Sequence, residues 1–143
     1  MSAETTDFAK ALREAGLRVT QQRLALLSIL MDAADHPNAD ELLSRARGMD
    51  DSMSLATVYR TLSALEDAGL IRKLSLENEP ARYEIAPAAE HDHLIDIETG
   101  TVIELESDEI NRLRTELAAR MGYEIVSQHT LIRARKVKPG QAR

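Results

Sequence analysis

Residues 54–85, SLATVYRTLSALEDAGLIRKLSLENEPARYEI, change their periodicity partway through, and that change decides the fold. Up to Ala68 the apolar residues Leu55, Val58, Leu62 and Leu65 recur at the 3.6-residue spacing of one helix stripe. Ser54 is suited to cap that helix and Gly69 to stop it. Thr57, Arg60, Ser63 and Asp67 fall towards the opposite side, with Tyr59 on the boundary. Beyond Gly69 the pattern is that of short strands. Ile71 to Leu76, the polar turn Glu77-Asn78-Glu79-Pro80, and Arg82 to Ile85 predict a β-hairpin.

Towards the N-terminus the chain predicts three more helices. Thr6 is placed to cap the first, which runs to about Ala15 and turns at Gly16. Thr20 caps a second, with Leu24, Leu27 and Met31 at helical spacing. Asn38 opens a third, with Glu41 as its capping-box partner and Leu42 and Leu43 facing inward. Short helices followed by a two-stranded wing make a winged helix-turn-helix.

In the other direction, Ala86-Pro87-Ala88-Ala89 reads as a linker. A strand (His91 to Ile97), a Glu98-Thr99-Gly100 turn and a second strand (Thr101 to Leu105) follow. Ser107 caps a helix from Asp108 to about Met121, closed by Gly122, and a last strand spans Ile125 to Arg135. The expected fold is therefore α+β. It comprises a winged helix-turn-helix in residues 1–85, a linker at 86–89, and a small α/β dimerisation domain in 90–143. The second domain holds only about 50 residues, few enough that dimerisation is expected to stabilise it.

Composition narrows the function. The 143 residues are 43% hydrophobic and 29% charged, which suits a soluble folded protein. No apolar run reaches membrane-span length, and the polar, acidic start excludes a secretory signal, so the expected location is the cytoplasm with no membrane partner. The absence of cysteine removes disulfides, thiol catalysis, iron–sulfur clusters and zinc–thiolate sites. Net charge is −6, and neither half is basic: ten Lys and Arg face fourteen Asp and Glu in residues 1–85. Nucleic-acid binding therefore depends on whether the basic residues gather on one surface. There is no nucleophile elbow, Walker loop, dinucleotide turn or H-E-x-x-H, so no enzyme is indicated.

The most suggestive chemistry is Glu90-His91-Asp92-His93. On a strand His91 and His93 share one face and Glu90 and Asp92 the other, so a single strand supplies two ligand clusters. Imidazole with carboxylate and no sulfur suits Fe(II), Mn(II), Zn(II) or Co(II) without choosing among them. An isolated His-x-His is often only a surface pair. Here Glu84 ends the wing and Glu104 ends the neighbouring strand, so both can converge on the His91/His93 face. His36 lies in the loop before the third helix and His129 on the last strand.

The segment Ser54-Leu55-Ala56-Thr57-Val58-Tyr59-Arg60-Thr61-Leu62, followed by Ala68-Gly69-Leu70-Ile71, resembles the recognition helix of the ferric uptake regulator (Fur) family. Ala15-Gly16-Leu17-Arg18-Val19-Thr20 with Arg23, and His91-Asp92-His93-Leu94-Ile95, match further family motifs in the same order. The resemblance covers roughly residues 8–135. It implies a homodimeric, metal-dependent transcription factor that binds A·T-rich palindromic double-stranded DNA operators and mainly represses iron-uptake genes. Tyr59 and Arg60 match residues that meet bases, and Arg18 stands where the family usually has a minor-groove lysine. Arg23, Ser54 and Thr57 match phosphate contacts; capping and solvation are the bland reading of Ser54 and Thr57, and a boundary core residue that of Tyr59.

For metal, the resemblance implies a regulatory site of His36, Glu84, His91, His93 and Glu104, positioned between the domains. Fe(II) is the expected ion, with Mn(II), Zn(II) or Co(II) able to substitute. A candidate second site matches Glu90, Asp92 and His129, with Asn111 where the family commonly has glutamate, which removes one anionic ligand. Asp96-Ile97-Glu98-Thr99 stands where many relatives have a cysteine pair, so a structural Cys-zinc site is absent and the chain falls in the cysteine-free branch. The rival readings are a manganese-responsive regulator with the same ligands and, from another class, a small metal-binding enzyme or storage protein.

Overall fold

Local chemistry at the ends of the helices sets the N-terminal architecture. The structure, a computed structural model, describes residues 3–86, 92–126, 128 and 130–140, with side chains from residue 7 onward. It divides into two compact units, Met1–Ala86 and Pro87–Arg143. The first contains α1 (Ala3–Glu14), α2 (Gln21–Asp32), α3 (Ala39–Arg47), α4 (Leu55–Asp67) and the hairpin β1 (Ile71–Leu76)–β2 (Glu79–Ile85). Thr20, Asn38 and Ser54 each cap the following helix through a side-chain oxygen. Asn38 and Glu41 make both halves of a capping box, at 2.9 and 3.2 Å.

Helix α4 ends by a Schellman turn. The Leu70 amide donates to the Leu65 carbonyl and the Gly69 amide to that of Glu66, at 3.0 and 2.9 Å. This requires the left-handed backbone found at Gly69, with φ +76°. The turn aims the chain directly into β1. Leu12, Leu26, Leu42, Val58, Leu62 and Leu65 are almost wholly buried in one core shared by all four helices, and Ile71 and Tyr83 join it from the wing. A Leu→Ala change there costs about 2–5 kcal/mol.

Two details differ from the sequence expectation. Helix α1 begins at Ala3, so Thr6 lies inside it and is not its cap; Ala3 and Glu4 are good helix formers that carry the helix past a merely tolerated threonine. Helix α2 buries Leu26, Leu27 and Leu30, while Met31 is 49% exposed. That helix is apolar on nearly every side, so periodicity alone could not say which stripe faces inward.

The second unit is a three-stranded sheet of order β4-β3-β5 with one helix: β3 (Asp92–Asp96), β4 (Val102–Leu105), α5 (Asp108–Arg120) and β5 (Leu131–Ala134). β3 pairs antiparallel with β4 and parallel with β5. The parallel pairing needs a crossover, and α5, capped by Ser107, lies within it. The strands are shorter than the sequence pattern implies, the last above all. No described residue of α5 is buried. Among the described residues no helix is long and apolar enough to cross a membrane.

Candidate metal centre and nucleic-acid surface

In the first unit, the loop before α3 is pinned to β2. Asn38 forms an isolated antiparallel bridge with Arg82, and the Tyr83 amide donates to the Pro37 carbonyl at 3.0 Å. Continuing that register by two residues sets His36 opposite Glu84. Their side chains meet: His36 Nε2 lies 2.9 Å from Glu84 Oε2, with the two side chains 11% and 10% exposed. Arg45 of α3 holds the same loop from its outer side, donating to both oxygens of Asp35 at 3.1 and 2.8 Å. That guanidinium keeps the Asp35 carboxyl below its ordinary pKa despite partial burial.

In the second unit, His93 on β3 pairs directly across from Glu104 on β4. Opposite residues on neighbouring strands share a face, so this is a second imidazole–carboxylate pair. His93 is fully buried. Each unit thus carries one nitrogen donor beside one carboxylate. This all-N/O chemistry fits a divalent transition ion of the Fe(II), Mn(II), Zn(II) or Co(II) kind. His91, Glu90 and His129 lie outside the described residues.

Asp92 points elsewhere. Its Oδ2 is 2.9 Å from Arg114 Nη2, and its Oδ1 accepts from Arg114 Nη1 at 3.1 Å and from the Thr130 amide at 2.8 Å. Arg114 Nη2 also donates to Thr130 Oγ1 at 3.1 Å. Sequence reasoning did not single out Arg114. The available signal was its place three residues beyond Asn111, on the same helix face.

The segment Asp96-Ile97-Glu98-Thr99 closes the β3–β4 turn. Asp96 Oδ1 accepts from the amides of Glu98 and Thr99, at 2.9 and 3.4 Å, and the Gly100 amide donates to the Asp96 carbonyl at 2.8 Å. The Glu98 amide, more than any other group, holds the Asp96 carboxyl below its ordinary pKa.

The residues proposed to touch DNA belong to the first unit. Along the first turn of α4, Ser54 Oγ lies 2.9 Å from Thr57 Oγ1, and Arg60 Nη2 donates to Thr57 Oγ1 at 3.3 Å. Ser54 also accepts from the Thr57 amide, so capping is part of its role. Tyr59 is 47% exposed, well clear of a core position. Arg18 is exposed, and Arg23 braces its backbone by donating to the Arg18 carbonyl at 2.6 Å.

The comparisons with known proteins agree with this arrangement. The model of the ferric uptake regulator family matches residues 14–133. A ferric uptake regulation protein of Brucella abortus is 43% identical over 132 residues, covering 92% of this chain and 94% of that protein. The ferric uptake regulator of Pseudomonas aeruginosa, solved with manganese, superposes with a TM-score of 0.79 at 33% identity, over 96% of this chain and all of that one. A zinc-bound manganese uptake regulator gives 0.71 at 38% identity, over 91% and 98%. With its winged helix-turn-helix and small α/β domain, the chain belongs to the ferric uptake regulator family and is a metal-responsive transcriptional regulator rather than an enzyme.

Proposed function

We propose that this protein is an Fe(II)-sensing regulator that binds A·T-rich palindromic operators as a metallated homodimer and mainly represses iron-uptake genes. The carrying observation is the repeated imidazole–carboxylate pairing, His36 with Glu84 in one unit and His93 with Glu104 in the other. The proposed regulatory set is His36, Glu84, His91, His93 and Glu104. A divalent ion held by this set would neutralise carboxylates and restrict how the two units turn against each other. Two half-sites are read together only when the spacing of the two recognition helices matches the operator, so a restriction of this kind selects the DNA-binding state.

Within the first unit, Tyr59 and Arg60 read bases, Ser54, Thr57 and Arg23 hold phosphates, and Arg18 enters the minor groove. An arginine fork matches guanine and a tyrosine ring packs on thymine methyls; arginine also suits a narrow A·T-rich minor groove. Homodimerisation through the second unit is supported by its exposed apolar residues. Leu113 is 54% exposed, Leu117 46%, Met121 74% and Ile103 51%, more than a soluble domain ordinarily leaves to water. The protein acts where DNA is, in the cytoplasm.

The test is operator binding by fluorescence anisotropy at fixed salt, with Mn(II) as an air-stable stand-in for Fe(II), on wild type and His93→Ala. Metal tightens wild-type binding and leaves the variant weak. Equal binding by both proteins without metal would sink the sensing proposal while leaving DNA binding intact. A manganese-responsive regulator is the second reading, favoured by the likeness to manganese uptake regulators. Anaerobic titrations with buffered Fe(II) and Mn(II) separate the two by which ion half-saturates operator binding at its cellular free concentration.

A further inference from the structure

The candidate second site calls for anions around a cation, and the cation is already there. Asp92 is 5% exposed, and Arg114 grips it through two guanidinium nitrogens at 3.1 and 2.9 Å. The Thr130 amide adds a third donor at 2.8 Å, and Thr130 Oγ1 takes a further guanidinium hydrogen at 3.1 Å. A bidentate arginine–carboxylate contact of this kind neutralises the carboxylate and fixes its plane. On α5 the residues that share the face of Arg114 bring no negative charge: Asn111, three positions earlier, is a neutral amide. Glu109 sits two positions before Asn111, a spacing that turns it to a different side of the helix, and it is exposed. A divalent ion drawn to Asp92 would meet a fixed positive charge in contact with its only described anionic ligand.

We infer that Arg114 is the built-in cation of this site, tying α5 to β3 and β5 in place of a second metal ion. The guanidinium does permanently what an ion does conditionally. It bridges Asp92 on β3, Thr130 just before β5 and the middle of α5, independent of metal supply. The described residues of this site, Asp92 held by Arg114 with Asn111 beside it, thus do not fit a second metal, and the metal response is assigned to the regulatory set. This inference concerns the second site and does not require the regulatory site to be correctly assigned.

Arg114 and Asn111 are the levers that test it, since both lie on α5 and neither belongs to the proposed regulatory set. Bound Mn(II) is counted by atomic emission after gel filtration, for wild type and the double variant Asn111→Glu with Arg114→Gln. The double variant takes up one ion per protomer more than wild type. In chelator Arg114→Gln melts several degrees below wild type. Equal ion counts in the two proteins, or an unchanged melt for Arg114→Gln, overturn the inference. A wild type with no ion beside a variant with one supports it and removes the regulatory-site proposal instead. Should the double variant not fold, Zn(II) titration of wild type by NMR decides: an Arg114 Nε–H signal unmoved at saturation supports the built-in cation, and a displaced one refutes it.

Discussion

His36 and Glu84 stand face to face across an antiparallel pairing made by their neighbours. The backbone bridge runs between Asn38 and Arg82, and the Pro37–Tyr83 hydrogen bond extends it, so the 2.9 Å contact between the two side chains is a matter of register. The residues that fix that register are the cap of α3 and the inner strand of the wing. The loop that carries the histidine is thereby pinned to the wing.

Replacing either member of this pair should uncouple metal from DNA. Supporting residues around metal ligands change affinity by roughly 10- to 100-fold, and a direct ligand should exceed that. In the anisotropy assay, His36→Ala and Glu84→Ala are expected to need at least that much more Mn(II), and each should melt somewhat below wild type in chelator because it takes a 2.9 Å partner from a nearly buried side chain. A normal metal titration in both variants would remove them from the site.

Asn38→Ala should weaken the first unit by about 1 kcal/mol, the usual cost of losing an N-cap. Denaturant unfolding monitored by circular dichroism reports it as a lower midpoint with an unchanged slope. Asn38→Ser, which keeps a capping oxygen, should recover most of the loss.

On DNA, Arg60→Ala should cost about 1–3 kcal/mol against the best operator and flatten the preference among operators, because it removes a proposed base reader. Arg23→Ala should weaken all sequences alike and reduce the salt slope by about one. Binding series at several salt concentrations distinguish the two; identical profiles would contradict the division of labour.

Leu117→Asp, which places a charge in the exposed apolar face of α5, should shift the protein to monomer in sedimentation. It should reduce operator affinity while leaving the N-terminal unit folded. An unchanged dimer would point to another surface.

The Asp96 turn has a defined pH response. Its carboxyl titrates below the ordinary 3.8 because two backbone amides favour the charged form. The stabilisation is therefore complete above that ordinary value and disappears as pH falls through the depressed one. NMR should show the Glu98 and Thr99 amide shifts constant from neutrality to the mid-fours and moving only at lower pH.

Much of this was legible in the sequence where the chemistry is local. Thr20, Asn38, Ser54 and Ser107 are caps because each is a short oxygen-bearing side chain three residues before a helical amide that needs an acceptor. The turn at Gly69 was equally plain. The β3–β4 hairpin was legible from its turn, but a turn confined to Glu98-Thr99-Gly100 would set His93 opposite Leu105; the observed register pairs it with Glu104. By contrast, the approach of His36 to Glu84 depends on a bridge between segments far apart in sequence, which no local pattern reveals; only likeness to a family suggested it. Arg114 escaped for a related reason. One of three arginines on an otherwise exposed helix looks like solubilising charge until the sheet beneath it is known.

The turn at residues 96–100 holds a further consequence. A hairpin closed by one carboxylate and its own amides needs neither zinc nor a reducing cell to keep its shape, and a chain without cysteine has no thiol to be oxidised. The scaffold is thereby decoupled from the supply of the ions it measures. An instrument whose frame does not swell or shrink with the quantity on its dial can be read at the low end of its range, where scarcity has to be told apart from damage.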